Sequence, residues 1–301
     1  MLAPRPARWI WLLVWLGIAC RSTPRPAADQ AGSVRLGTVT VHVVDDTAAD
    51  PGLSEDLVRR ALERGPPFAN TGEALAVEAW GRVGVRDEPV PASARPVAPL
   101  SAVEVVVHVQ APKAIAAAFD GGVVEAHIVW PLQPGETGEA GFAEAADRAG
   151  AVIRARLQLA ARVPGTVESL LRSDDVHLVL LALQSIASSR AVDHLDAVAA
   201  LLDHADAEVA ARAVDVVGEL GDSRHAPLLI QHVRLADPGH TYRTYEALAR
   251  LGGEQAQGFL RFAARNEDDR ERRAAARLAL DKLMRSTHPT EPRPALRGHR
   301  Q

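Results

Sequence analysis

The chain has 301 residues, a formal net charge of −4, only 4% aromatic residues and a single cysteine, Cys20. That length corresponds to about two domains, and the slightly acidic balance gives no electrostatic basis for nucleic-acid binding. One cysteine excludes an intrachain disulfide and any CxxC redox or zinc-thiolate site.

The first element is an apolar run from Trp9 to Ala19, preceded by Arg5 and Arg8, with no acid before Asp29. As a helix it is roughly 16 Å long at ~1.5 Å per residue. A bilayer core of ~30 Å asks for about 20 apolar residues, so the run is short for a span. It fits the apolar region of an export signal. Its end, "LGIAC", resembles the lipobox of bacterial lipoproteins, in which a small residue precedes a cysteine that becomes the lipidated mature amino terminus. Ala19 and Ile18 fit that pattern, while Gly17 stands where an aliphatic is usual and Leu16 lies one place further back. The resemblance implies a signal peptide over residues 1–19 and lipidation of Cys20. It also implies an exported protein, on the outer membrane or facing the periplasm of a Gram-negative-type bacterium. The alternative is a soluble secreted protein cut at a nearby alanine. Each buried acyl CH₂ contributes about 0.8 kcal/mol, so two or three chains hold a soluble domain firmly. Residues 20–34 are rich in Pro, Ala and Ser without an apolar period, which reads as a flexible tether.

Residues 35–163 alternate strands and helices. "GTVTVHVVDD", "ALAVEAWGRVGV", "AVEVVVHVQAP" and "GVVEAHIVWP" have the period of two expected of half-buried strands. "SEDLVRRALERGPPF" lies between the first two, with Leu57, Val58, Ala61 and Leu62 at helical spacing and Ser54 as its cap. A longer amphipathic helix follows the last strand and stops before Pro164. This order predicts an α+β domain, an antiparallel sheet with two helices on one face. Val39, Val41, Val43, Val77, Ala79, Val105, Val107, Val109, Val124, Ala126 and Ile128 should meet the helices. The opposite face carries His42, His108 and His127 with nearby Glu residues. Three imidazoles and a carboxylate form a zinc-type donor set if the strands bring them together. The alternative is an ordinary polar face, because no short-range pair such as HxH or HExxH is present.

Residues 164–285 repeat. "DDVHLVLLALQSIA", "DAEVAARAVDVVGELGD", "DPGHTYRTYEALARLGG" and "DDRERRAAARLALDKL" align on the pairs Ala182-Leu183, Ala213-Val214, Ala247-Leu248 and Ala279-Leu280. Asp175, Asp206, Asp237 and Asp269 stand where helix N-caps belong. Second helices run between them at "VDHLDAVAALLDH", "RHAPLLIQHV" and "EQAQGFLRFAAR". The pattern resembles HEAT repeats, of the short bacterial kind named after phycobilisome lyases, and is best kept in "DAEVAARAVDVVGELGD". The resemblance implies an all-α helical solenoid that binds partners along its surface and seldom catalyses. Candidate contact residues are Asp193, His194, Arg224, His225, His232, Tyr242 and Tyr245. Residues 286–301 are basic and proline-punctuated and read as a disordered tail.

No Gly-rich phosphate loop, GxSxG elbow or paired-carboxylate motif is present. The leading expectation is a non-enzymatic, membrane-anchored envelope lipoprotein without a cofactor. Its HEAT repeats would scaffold contacts with unidentified envelope proteins, and no nucleic acid is involved. The alternative is a zinc- or copper-binding periplasmic lipoprotein, or a zinc hydrolase, using the strand histidines.

Overall fold

Valine-rich alternation builds the first half: β1 (Val34–Val44), α1 (Glu55–Glu63), β2 (Glu73–Arg86), β3 (Leu100–Gln110), β4 (Val123–Pro131) and α2 (Gly138–Ala160). The computed structural model describes residues 34–44, 53–68, 72–86, 100–133, 135–233 and 237–287. The expected signal, Cys20, the tether up to residue 33 and the tail from residue 288 lie outside them. The sheet order is β1-β2-β3-β4. β2, β3 and β4 pair antiparallel as expected, whereas β1 joins β2 in parallel. The cause is α1: a strand–helix–strand connection returns the chain to the start of the sheet, so the second strand runs the same way as the first.

Both helices lie on the valine face. Val77, Ala79, Val105, Val107, Val109, Val124, Ala126 and Ile128 share one buried core with Val58, Ala61 and Leu62 of α1 and Phe142, Ala146 and Ile153 of α2. Val41 and Val43, near the end of β1, are half-buried. Burying side chains of this size contributes about 1.5–3 kcal/mol each. The Ser54 hydroxyl accepts from the N–H of Leu57 at 3.3 Å, and Thr137 caps α2 by accepting from Ala140 at 3.2 Å. Gly150 lets α2 approach the last turn of α1: a Cβ there would stand 2.5 Å from the Ala61 carbonyl oxygen.

The second half is helical throughout. α3 (Thr166–Leu171) precedes α4 (Val176–Ser189), α5 (Leu195–Ala199), α6 (Ala207–Leu220), α7 (Ala226–Gln231), α8 (Pro238–Leu251), α9 (Gly253–Asn266) and α10 (Arg270–Thr287). Helices α4, α6, α8 and α10 alternate with α5, α7 and α9 around a second core built from Leu, Val, Ala and Ile. α4, α6, α8 and α10 each begin at an aspartate. Asp175 accepts from the N–H of His177 (2.9 Å) and Asp206 from Glu208 and Val209 (2.9 and 3.1 Å). Asp237 accepts from His240 (3.1 Å) and Asp269 from Glu271 and Arg272 (2.9 and 2.8 Å). α10 continues through Ser286 and Thr287, two residues into the segment expected to be tail. No helix among the described residues is long and apolar enough to cross a membrane.

Candidate functional site

The open face of the sheet carries the histidines, but in separate places. Strand register puts Thr40, Glu78, His108 and Glu125 in one row and His42, Trp80, Val106 and His127 in the next. His42 and His127 are therefore at opposite edges of the sheet, three strand spacings of about 4.8 Å apart. Trp80 fills the space between His42 and His108: it stacks on His42 at 5.5 Å and meets His108 edge-on at 4.8 Å. His108 Nε2 is 3.1 Å from a Glu125 oxygen, and His127 Nε2 is 2.6 Å from Glu104 Oε1. Arg82 donates to the other Glu104 oxygen at 2.5 Å. Burial works against ionisation of Glu104, but the hydrogen bonds from Arg82 and His127 outweigh it and hold the carboxyl below its usual range.

The convergence required of a three-histidine centre is not present. Period-two alternation assigned the face correctly, but strand register separates the imidazoles. Among the described residues, no group of three His, Cys, Asp or Glu side chains is placed to hold a metal ion.

The repeat turns gather more of the expected contact residues. Asp193, from the turn before α5, and Asp196, in the first turn of α5, meet Arg224 and His225, from the turn before α7, around a cavity of about 410 Å³. Val192 lies in the same wall and is 54% exposed. Asp222 organises this turn. Its carboxylate accepts from the backbone N–H of Arg224 at 2.9 Å, and the Arg224 guanidinium folds back onto it at 2.7 Å. His225 Nδ1 lies 3.1 Å from both the Asp222 carboxylate and the Asp222 backbone N–H, which closes a capping box. The Arg224 hydrogen bonds hold the Asp222 carboxyl far below the usual carboxylate range. Sequence reasoning passed over Asp222, although the "GDSRH" run shows it three residues before His225.

Three other expected contact residues lie outside that cavity. His194 Nδ1 is 3.6 Å from Glu168, His232 Nδ1 is 2.8 Å from Asp203, and Tyr242 is half-buried on α8. Tyr245 does not belong among surface contacts: it is 1% exposed, and its hydroxyl donates to Glu267 at 2.7 Å. Counting from each N-cap explains this. The eighth residue is Leu183, Val214 and Tyr245 in α4, α6 and α8, so Tyr245 fills the interior position that Leu and Val fill in the preceding repeats. Pairing Ala247-Leu248 with Ala213-Val214 slides the third unit by one helical turn and puts Tyr245 outside.

Residues 195–281 match the family model of HEAT repeats. This covers α5 to the greater part of α10, and the second half of the described structure is a HEAT-type helical solenoid. No curated protein matches the chain.

Proposed function

We propose that this protein is an envelope lipoprotein, anchored through Cys20, whose HEAT repeats scaffold contacts with other envelope proteins. HEAT repeats are typically non-catalytic surfaces for protein interaction. The observation that carries the reading is the gathering of Asp193, Asp196, Arg224 and His225 around one cavity at successive repeat turns, with exposed Val192 beside them. Both signs of charge beside an exposed valine suit a protein partner with a polar rim. The lipid anchor is supported by the sequence alone, from the short apolar run and the sole cysteine that follows Ala19.

Two measurements test it. Cells fed a labelled fatty acid should incorporate the label into the wild-type chain and not into Cys20→Ala, and the variant should leave the membrane fraction. Equal labelling of the two chains removes the anchor from the reading. Affinity capture from membranes should retrieve a protein that is lost when Asp193→Ala and Arg224→Ala are combined. Retention of every captured protein by the double variant moves the contact surface elsewhere.

A further inference from the structure

β4 is the last strand of the sheet, and among the described residues nothing pairs with its outer side. The phase of its hydrogen bonds follows from one bond next to the ladder. The N–H of Ala111 donates to the Gly122 carbonyl at 2.8 Å, which makes that pair a hydrogen-bonded one and continues the β3–β4 register. Antiparallel pairs alternate, so the pairs of Val109 with Val124 and Val107 with Ala126 are also hydrogen-bonded, and those of His108 with Glu125 and Val106 with His127 are not. The backbone N–H and C=O groups of Glu125 and His127 therefore point away from β3, toward the free edge.

Edge strands of natural proteins are usually interrupted. β1, at the other edge, has a register shift between Leu36 and Val39, whereas β4 keeps one register from Val123 to Pro131. The free edge of β4 is not open solvent. It forms one wall of a cavity of about 250 Å³ whose other walls are α2, through Val152, and α4, through His177, Leu180, Leu181 and Gln184. Arg156 of α2 also lines this cavity, and among the described residues its buried Nε has no acceptor. The carboxylate of Glu125, the only acid in the wall, is held on the open face by His108. The cavity thus offers unpaired backbone on one side, a helix face that mixes Leu180 and Leu181 with His177 and Gln184 on the other, and a guanidinium Nε without an acceptor.

We infer that the groove between β4 and α4 binds an extended acidic segment of a partner protein. The segment adds as a fifth strand to β4, with a carboxylate at Arg156 and apolar side chains on Leu180 and Leu181. Main-chain hydrogen bonds supply affinity in such strand addition, and alternate side chains supply selectivity. This surface is separate from the repeat-turn cavity, so each can fail without the other.

The test uses the full chain and a fluorescein-labelled seven-residue peptide alternating valine and glutamate. Its lysine counterpart and a copy with alternate backbone nitrogens methylated serve as comparisons. Anisotropy should show binding of the glutamate peptide that weakens at least tenfold with lysine, with backbone methylation and with Arg156→Gln. Hydrogen exchange at the Glu125 and His127 amides should slow when the peptide is bound, while Asp193→Ala with Arg224→Ala should leave binding unchanged. Absence of binding, equal binding of the methylated copy, or equal binding of the lysine peptide overturns the inference. So does a dimer of the full chain in sedimentation that the peptide dissociates, since β4 would then pair with a second copy. The methylated peptide keeps the test decisive if Arg156→Gln does not fold.

Discussion

The phenol of Tyr245 donates a 2.7 Å hydrogen bond to Glu267, which closes the end of the neighbouring helix 22 residues later. Burial first, and then this bond, push the Tyr245 hydroxyl well above its usual pKa, so it stays a donor throughout the working pH range. Glu267 is also 3.3 Å from Arg272, which links α8, the end of α9 and the start of α10 through one carboxylate. Tyr245→Phe keeps the ring and removes the donor. A hydrogen bond to a charged group is worth about 1.5–3 kcal/mol. The remaining Arg272 contact places the expected loss near the lower end. For a protein of this size that is a fall of about 3–6 °C in melting temperature at ~2–4 °C per kcal/mol. Thermal unfolding followed by circular dichroism measures it, and an unchanged midpoint would show that the bond contributes nothing.

Asp175 joins the two halves of the fold. It caps α4, receives Arg148 of α2 at 3.3 Å and lies 3.2 Å from His177 Nδ1. Arg148 also sits over the Trp130 ring at 4.5 Å. The His177 side-chain hydrogen bond is the main reason that the Asp175 carboxyl is held below its usual value, and the same bond raises His177. A depressed carboxyl contributes stability above its unfolded value of 3.8 that is lost as the pH falls through the folded pKa. A raised histidine contributes below its unfolded value of 6.5, and this is lost as the pH rises through the folded pKa. The pair therefore contributes most between those two values. With the His177 side chain 52% exposed, solvent keeps its share small. Asp175→Asn retains the cap, so His177 should titrate at a lower pH by NMR with little loss of stability. Asp175→Ala should in addition cost about 1 kcal/mol for the lost cap. Identical His177 titration in wild type and Asp175→Asn would contradict this coupling.

Glu104 bridges Arg82 and His127 across three strands of the open face. Its carboxyl is depressed, so its contribution is complete above the unfolded value of 4.5 and disappears as the pH falls through the folded pKa. Arg82 is 62% exposed, which limits the bridge to under about 1 kcal/mol at neutral pH. Glu104→Gln should lower urea-unfolding stability slightly at pH 7 and converge with wild type in acid. A difference that persists or grows under acid would assign the loss to packing instead.

How much of this was legible in the sequence depended on the range of the interaction. Strands and helices followed from periods of two and 3.6, and the faces of the sheet followed with them, down to Val77 in the core and Glu78 outside. The aspartate caps were legible because an N-cap acts within three residues. The spacing of those caps, 31, 31 and 32 residues, was the better guide to repeat register. Alignment on apolar pairs instead gave 31, 34 and 32, and the error fell on Tyr245. A tyrosine in place of leucine disguises an interior position. The histidine centre failed for a different reason: alternation gives the face of a residue but not its row, and register is set by pairing between distant segments. The Arg156 cavity needs β4, α2 and α4 to come together, so no local pattern announces it.

Two glycines separate backbone preference from close packing. Gly218 of α6 and Gly258 of α9 both lie inside helices, where glycine is usually worse than alanine by about 0.5–1 kcal/mol. A Cβ at Gly258 meets nothing within 4 Å, so Gly258→Ala should stabilise the solenoid by about that amount. At Gly218 the same atom would collide with the Ala247 methyl and stand 2.8 Å from its Cα, on the facing helix α8. Both helices are anchored in the shared core, so relief requires α6 and α8 to move apart rather than a side chain to turn. Overpacking of this kind costs about 1–3 kcal/mol, which exceeds the propensity gain. Gly218→Ala should therefore lower the melting temperature while Gly258→Ala raises it, and Gly218→Ala with Ala247→Gly should recover much of the loss. Parallel shifts of the two single variants would mean that helix propensity, and not the α6–α8 approach, governs Gly218.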